Sequence, residues 1–106
     1  MAVVELNIIP IGTKTTSVSS FVAQCLSVLK DEKDVNYRLT PMGTIIEGDL
    51  DKVLSIVRKM HEEPFKSGIS RVVTDIRIDD RRDKKLTMEG KLSSVQNKLT
   101  GAGGEK

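Results

Sequence analysis

The sequence has few of the residues that several large classes of protein require. Its 106 residues include no Trp, one Tyr and two Phe, so RNA recognition by base stacking, which needs several aromatic rings, is not expected. The one Cys excludes an intrachain disulfide framework and a cysteine-based zinc cluster, and the one His excludes a His-rich metal site. No motif requires a metal or a cofactor, and we expect none.

A strong charge of one sign and a long apolar run are also missing. The 17 Lys+Arg and 15 Asp+Glu leave a net charge of +2, which argues against a dedicated nucleic-acid binder. No apolar run approaches the roughly 18–20 residues that span a bilayer, and the N-terminus lacks the pattern of a signal peptide. We therefore expect a cytoplasmic protein with neither nucleic acid nor membrane as a partner, and the single free thiol agrees with that compartment.

Hydrophobic periodicity predicts one domain over residues 1–99 with four strands and three helices. Alternating residues predict strands over 2–11 and 69–79 and a hairpin over 35–49 that turns at Pro41-Met42-Gly43. Apolar residues at helical spacing predict helices over 17–30, from 50 to an end between Pro64 and Gly68, and over 87–99. The glycine-rich segment 100–106 is expected to be a disordered tail.

The order β-α-β-β-α-β with an extra C-terminal helix is the ferredoxin-like pattern of the α+β class. It predicts an antiparallel sheet in the strand order fourth, first, third, second, with two helices packed on one face. The other face is left open by the main unit. Either the third helix or a second subunit is expected to cover it.

Charged and apolar residues alternate on this open face. Glu5, Asn7 and Glu47 fall there, interleaved with Val3, Ile9, Ile45 and Val73. Two interpretations stay open: the charges pair across strands on a solvated surface, or the half-apolar face meets another subunit. A partly buried Glu47 needs a hydrogen-bonding partner, which Arg71, Arg77 or a ligand could provide.

Other candidate features are weaker. The segment Lys14–Ser17 precedes a helix and could hold an anion, although ordinary capping by Thr16 or Ser17 explains it as well and the glycines of a phosphate-binding loop are missing. Cys25 lies on an apolar helix stripe and is expected to be a core thiol, and His61 a surface residue. The stretch DDRRDKK (79–85) is either a solvated turn or a contact to a neighbouring subunit.

Four segments taken in order resemble the thiamine-binding protein family over about residues 2–99. They are VELNIIPIG in the first strand, SVSSFVAQCLSVL (17–29), TPMGTIIEGD (40–49) and RVVTDIRIDDRRDK (71–84). The resemblance implies a ferredoxin-like fold and a homotetramer built as a dimer of dimers. It also implies binding of thiamine or its hydroxymethylpyrimidine moiety without catalysis.

Positions within the matched motifs supply the candidate ligand contacts. These are Asn7, Ser17, Thr40, Thr44, Glu47, Arg71 and Asp75. An aminopyrimidine presents an amino donor beside ring acceptors, so Glu47 or Glu5 could accept from the amino group and Asn7 could pair with the donor/acceptor edge.

Two alternatives belong to other functional classes. An enzyme on the same scaffold would resemble the acylphosphatases, but their glycine-containing anion loop ending in Arg is replaced here by IGTKTTS. The remaining alternative is a regulatory or structural oligomer module that binds another small metabolite.

Overall fold

The computed structural model describes residues 1–14 and 18–105, and its helices and strands follow the predicted order. The strands are β1 (Ala2–Pro10), β2 (Asn36–Thr40), β3 (Gly43–Gly48) and β4 (Val72–Asp80). The helices are α1 (Ser19–Ser27), which continues into a 3-10 turn at Val28–Asp31, α2 (Leu50–Lys66) and α3 (Met88–Glu105). The predicted α+β, ferredoxin-like class is confirmed.

The four strands form one antiparallel sheet in the order β2-β3-β1-β4, as predicted. The central strand β1 places Glu5 opposite Ile45 of β3 on one side and opposite Arg77 of β4 on the other. Because residues directly opposite each other share a face, Val3 lies with Glu47 and Asp79 on the face away from α1 and α2. The faces predicted from the alternation in the sequence are therefore confirmed.

The main core lies between the sheet and the helices α1 and α2. Val4, Leu6 and Ile46 from the two middle strands are buried there. They meet a stripe of α2 residues at helical spacing and two residues of the first helical segment: Val53, Ile56, Val57 and Met60, with Cys25 and Leu29. Burial of each such side chain contributes about 1.5–3 kcal/mol before the entropy of ordering is subtracted.

Helix α2 ends within the predicted interval between Pro64 and Gly68. It begins at the expected cap, where Asp49 Oδ2 accepts from the backbone N–H of Lys52 at 3.4 Å, and it ends at Lys66 with Pro64 inside its last turn. Proline has no N–H, so the carbonyl of Met60 loses the helical partner four residues on. The Cys25 thiol donates to that carbonyl at 3.5 Å instead, and this contact lets α2 tolerate the proline.

Helix α3 covers part of the open face, which is one of the two expected arrangements. Leu86 and Met88 form a second, smaller buried cluster with Val3, and Ile45 packs against it. Lys91 Nζ forms an ion pair with Asp79 Oδ2 at 2.5 Å, and Arg38 forms another with Glu89. The first turns of α3 are thus anchored to both β2 and β4.

The far end of α3 continues through Glu105, beyond the end near Leu99 that the sequence predicted. The segment expected to be a disordered tail therefore lies largely within this helix. That expectation came from Gly101, Gly103 and Gly104, each of which lowers helix propensity by about 1 kcal/mol relative to Ala. Beyond its first turns α3 leaves the sheet, so Leu92, Val95 and Leu99 remain exposed.

Candidate functional site

A cavity of about 580 Å³ opens at the end of the sheet where β1 finishes. Its walls are the beginning of α1, the last residues of β1 and the tip of the β2–β3 hairpin. Most of the lining is apolar, and among its apolar residues are Ile8, Ile9, Val22, Leu26, Leu39 and Met42. The described polar side chains in it are Asn7, Ser19, Thr40 and Thr44. A large apolar pocket with a few convergent polar groups is the usual form of a small-molecule site.

Asn7 is an exposed member of the cavity lining, on the face of the sheet away from α1 and α2. Its amide lies beside Gly43, where an added Cβ would be 3.1 Å from Asn7 Oδ1 and 3.1 Å from the carbonyl oxygen of Leu6. Within the residues that the structure describes, the Asn7 side chain has no hydrogen bond to another group. Its donor and acceptor are therefore both available to a ligand.

The two predicted threonines of the hairpin also line the cavity, with different roles. Thr40 Oγ1 donates to the carbonyl of Gly43 at 2.8 Å and accepts from the backbone N–H of Met42 at 3.3 Å, so the turn uses its hydroxyl. Thr44 is buried opposite Leu6 of β1. Thr40 therefore shapes the cavity, whereas the Thr44 hydroxyl can take part in binding.

Ser17, another predicted ligand residue, lies outside the described residues, as do Thr15 and Thr16. Helix α1 begins at Ser19 with Val18 at the N-cap position and without a side-chain capping bond. Val18 and Ser19 both line the cavity. The anion-binding hypothesis for the segment 14–17 stays a prediction.

Glu47 is placed as predicted on the face opposite α1 and α2, and its partners are neither Arg71 nor Arg77. It is 6% exposed, and it lies outside the cavity lining. Its Oε1 accepts from Asn36 Nδ2 at 2.9 Å, and its Oε2 accepts from the backbone N–H of Met88 at 2.5 Å. Arg71 and Arg77, two of the partners that the sequence left open, do not bond to it, because β1 separates β3 from β4 and the first turn of α3 reaches Glu47 instead.

Arg71 and Asp75 also lie outside the cavity. Arg71 precedes β4, and its carbonyl accepts from the backbone N–H of Ile11 at 2.9 Å. Asp75 lies directly opposite Asn7 across the β1–β4 ladder, with its side chain exposed. The structure thus brings together Asn7, Thr40 and Thr44, while Glu47, Arg71 and Asp75 belong to other surroundings.

Sequence reasoning missed several residues that shape the cavity. Val18 and Ser19 at the start of α1 and Met60 of α2 all line it. Met60 was expected only as core, and the others lie at the ends of elements, where no periodic pattern marks a wall. Cys25 also borders the cavity as a buried thiol, and burial raises its pKa to about 11, with a further contribution from the nearby Glu63 carboxylate.

A second, smaller groove of about 370 Å³ lies between the open face and α3. Val3, Ile45, Met88 and Leu92 supply its apolar part, and charges of both signs surround it, among them Glu5, Arg38 and Arg77. Of Asn7, Thr40 and Thr44, which line the larger cavity, only Thr40 also lines this groove. The groove is therefore a separate feature of the other side of the sheet.

No helix in the described part of the chain combines the length and hydrophobicity needed to cross a membrane. The described residues also contain no group of three or more His, Cys, Asp or Glu side chains arranged to hold a metal ion. His61 instead shares a hydrogen bond with Thr74 of β4 at 2.6 Å, which ties α2 to the edge of the sheet.

Comparison with known proteins adds sequence and fold relationships to this geometry. The model of a family described as "Thiamine-binding protein" matches residues 4–96. The UPF0045 protein YqgV of Bacillus subtilis is 49% identical over 102 residues, which cover 93% of this chain and 98% of the relative. The UPF0045 protein of Methanothermobacter thermautotrophicus is 41% identical over 100 residues, covering 93% of this chain and 100% of the relative.

Solved structures show the same fold. The crystal structure of the hypothetical protein MJ1052 from Methanocaldococcus jannaschii superposes with a TM-score of 0.80 at 38% identity, covering 90% of this chain and 95% of that one. A Thermotoga maritima protein, named in its structure as a candidate for thiamine biosynthesis or salvage, superposes with a TM-score of 0.72. Its sequence is 17% identical over 89% of this chain and 97% of that one, so the similarity to the Thermotoga maritima protein supports the fold alone.

Proposed function

Because the chain belongs to the thiamine-binding protein family, we propose that it binds thiamine or its hydroxymethylpyrimidine precursor, without catalysis, in the cavity at the end of β1. The observation that carries the proposal is the free amide of Asn7 in a mostly apolar cavity of about 580 Å³. Thr44 lines the same cavity and offers a hydroxyl.

The chemistry of the cavity suits the pyrimidine half of the ligand. Asn7 Oδ1 accepts from the exocyclic amino group while Asn7 Nδ2 donates to the adjacent ring nitrogen, which is the donor/acceptor pattern of an aminopyrimidine edge. Ile9, Leu39 and Met42 supply apolar surface for the faces of the ring.

The charge of thiamine sets the orientation that we propose. No described residue of the cavity lining is a carboxylate, and an unpaired cation is costly to bury. The cationic thiazolium ring therefore lies at the mouth, in contact with water, and the pyrimidine ring lies inside. Hydroxymethylpyrimidine, which lacks the thiazolium, fits within the cavity entirely.

Self-association is part of the same proposal. We expect a cytoplasmic homotetramer built as a dimer of dimers, as the family resemblance implied. The exposed apolar residues of α3 support it, since Leu92, Val95 and Leu99 form a stripe that a single chain leaves in water. The ligand site as proposed is formed within one chain, so binding and assembly can be tested separately.

Titration calorimetry with hydroxymethylpyrimidine, thiamine and thiamine phosphate tests the ligand. We expect Asn7→Ala to remove two hydrogen bonds worth about 1 kcal/mol each, which weakens binding about thirtyfold. Asn97→Ala is the matched control, because Asn97 is an exposed asparagine on α3. It should bind as the wild type does.

Four outcomes would count against parts of the proposal. Equal affinity of Asn7→Ala and the wild type would show that the cavity is not the site. Binding of none of the three compounds would overturn the ligand class, and a different metabolite found in a thermal-shift panel would favour the regulatory-module alternative. Turnover of the ligand during the titration would contradict a purely binding role.

A further inference from the structure

The outer edge of β4 is long and regular. β4 pairs only with β1 in the sheet that the structure describes, so one side of its backbone has no partner strand. Its register against β1 is unbroken over nine residues, from Ala2↔Asp80 to Pro10↔Val72, without a bulge. It also contains no Pro or Gly. A bulge or a proline usually interrupts an exposed edge strand, because a regular edge can pair with a strand of another chain.

The side chains of β4 add apolar surface and free charges to this edge. Ile76 and Ile78, on the face towards the helices, are each 44% exposed. On the other face, Asp75 and Arg77 have no hydrogen bond or ion pair of their side chains with any residue that the structure describes. The edge thus presents one unpaired acid and one unpaired base two residues apart.

The order of Asp75 and Arg77 makes the strand complementary to itself when two copies pair antiparallel. When two copies of β4 pair antiparallel about a two-fold axis at Ile76, Asp75 of each copy lies opposite Arg77 of the other. An axis at Asp75 would place that carboxylate opposite its own copy, and an axis at Arg77 would place the two guanidinium groups together. Like charges directly opposite each other destabilise a strand pair.

The extent of overlap selects the same register. Ile76 is the middle residue of β4 (Val72–Asp80), so an axis there pairs all nine residues. An axis at Ile78 would also match Arg77 with Asp79, but it would pair only the last five residues of the strand, and Asp79 is already held by Lys91. With the axis at Ile76, the like-charged Arg71 and Arg81 meet only beyond the strand end, where Asp83 neutralises Arg81.

We propose that β4 pairs antiparallel with β4 of a second copy of this chain about a two-fold axis at Ile76. The pairing joins two four-stranded sheets into one of eight strands, closed by two Asp75–Arg77 ion pairs and a central Ile76–Ile76 contact. This deepens the self-association proposed above and rests on it, but it is independent of the ligand. Asp75, one of the predicted ligand residues, becomes an interface residue.

A charge exchange tests the pairing in the full chain. Arg77→Asp replaces two attractive pairs with two repulsive ones, so we expect the dimer dissociation constant, measured by analytical ultracentrifugation, to rise about tenfold to a hundredfold. The double variant Asp75→Arg/Arg77→Asp restores opposite charges and should recover wild-type association. Arg71→Asp is the matched control: it makes the same change of charge, but it lies opposite Arg81 and should not weaken the dimer.

Single cysteines on the helix-side face of β4 test the register. Ile76→Cys should give a disulfide-linked dimer under mild oxidation with oxidised glutathione, since the two thiols meet at the axis. Thr74→Cys and Ile78→Cys should not, because each residue would be displaced from its own copy by about 13 Å along the strand, beyond the reach of a disulfide. The wild type, whose only thiol is the buried Cys25, measures the background.

The outcomes distinguish the proposed β4 pairing from self-association in general. Preferential crosslinking at position 74 or 78, or wild-type association of Arg77→Asp, would overturn the β4 pairing while leaving self-association standing. A wild-type protein that stays a monomer at micromolar concentration would overturn both. Neither result would affect ligand binding in the cavity.

Discussion

Cys25 is a structural thiol that lies beside the proposed ligand cavity. It is buried, it donates to the Met60 carbonyl that Pro64 leaves without a helical partner, and it borders the proposed ligand cavity. Desolvation raises its pKa from 9.0 to about 11. Only the thiolate is nucleophilic, so the fold suppresses the reactivity of this residue even though the cavity is adjacent.

We expect Cys25 in the folded protein to react slowly with a thiol reagent at pH 8. A rise in pKa from 9.0 to about 11 lowers the thiolate fraction at this pH about a hundredfold, before any steric protection is added. The rate of modification by a disulfide reagent, compared with the rate in strong denaturant, measures the effect. Equally rapid labelling in both conditions would show that the thiol is exposed and ionised.

At the level of elements, Glu47 fixes the position of α3. Its carboxylate accepts from the backbone N–H of Met88, the first residue of that helix, and so satisfies one of the orphan donors of a helix start. A negative charge there also interacts favourably with the helix dipole. A polar residue that looked like a ligand contact in the sequence is thus used to seat an element on the open face.

Replacing Glu47 distinguishes its contact with α3 from the ligand contact that the sequence predicted. Gln at this position cannot accept at both of its terminal atoms, so Glu47→Gln should lower the free energy of unfolding by about 1–3 kcal/mol. Hydrogen exchange should also show faster exchange of the amides in the first turns of α3. Glu89→Gln, which changes an exposed partner of Arg38, is the control and should have a smaller effect.

Measurement of thiamine binding by Glu47→Gln tests whether Glu47 contacts the ligand. If Glu47→Gln weakened the binding of thiamine while the amides of α3 kept their protection, the carboxylate would be a ligand acceptor, as the sequence suggested. The structure-based expectation is the reverse: altered protection of α3 and unchanged affinity.

The whole molecule is elongated, because α3 extends beyond the sheet. Its radius of gyration is 16.4 Å and its principal extents are 55 × 29 × 20 Å, whereas a compact domain of this length has a radius of gyration of about 13 Å. The exposed residues Leu92, Val95 and Leu99 follow the three-then-four spacing of a coiled-coil seam. Such a seam suits packing of α3 against the same helix of another copy.

We therefore expect two different surfaces to build the tetramer, the β4 edge and the α3 stripe. Val95→Glu introduces a charge into the stripe and should reduce the mass measured by light scattering from four chains to two. Ser93→Glu makes a similar change on the opposite side of the helix, and it should leave the assembly intact. A Val95→Glu protein that remains a tetramer would exclude the stripe from the interface.

The periodicity of the sequence alone was sufficient to predict the element order and the face on which each strand residue lies, and the strand order followed from the ferredoxin-like pattern that this element order matches. The physical reason is local: side-chain direction alternates along a strand and repeats every 3.6 residues in a helix. Val4, Leu6 and Ile46 could therefore be placed in the core, and Glu5, Glu47 and Arg77 on the other face, before any contact was known. Cys25 was identified as a core thiol on the same basis.

Only the tertiary structure decided which of these residues meet. The Glu47 carboxylate accepts from the backbone N–H of Met88, 41 residues away, because α3 begins next to it. No pattern in either segment of the sequence predicts that hydrogen bond. The cavity likewise forms where the end of β1, the start of α1 and the hairpin tip converge, so it gathers Asn7, Thr40 and Thr44 and leaves Arg71 and Asp75 outside. Local periodicity determines the direction of a side chain, whereas its partners depend on the placement of elements that are distant in the chain.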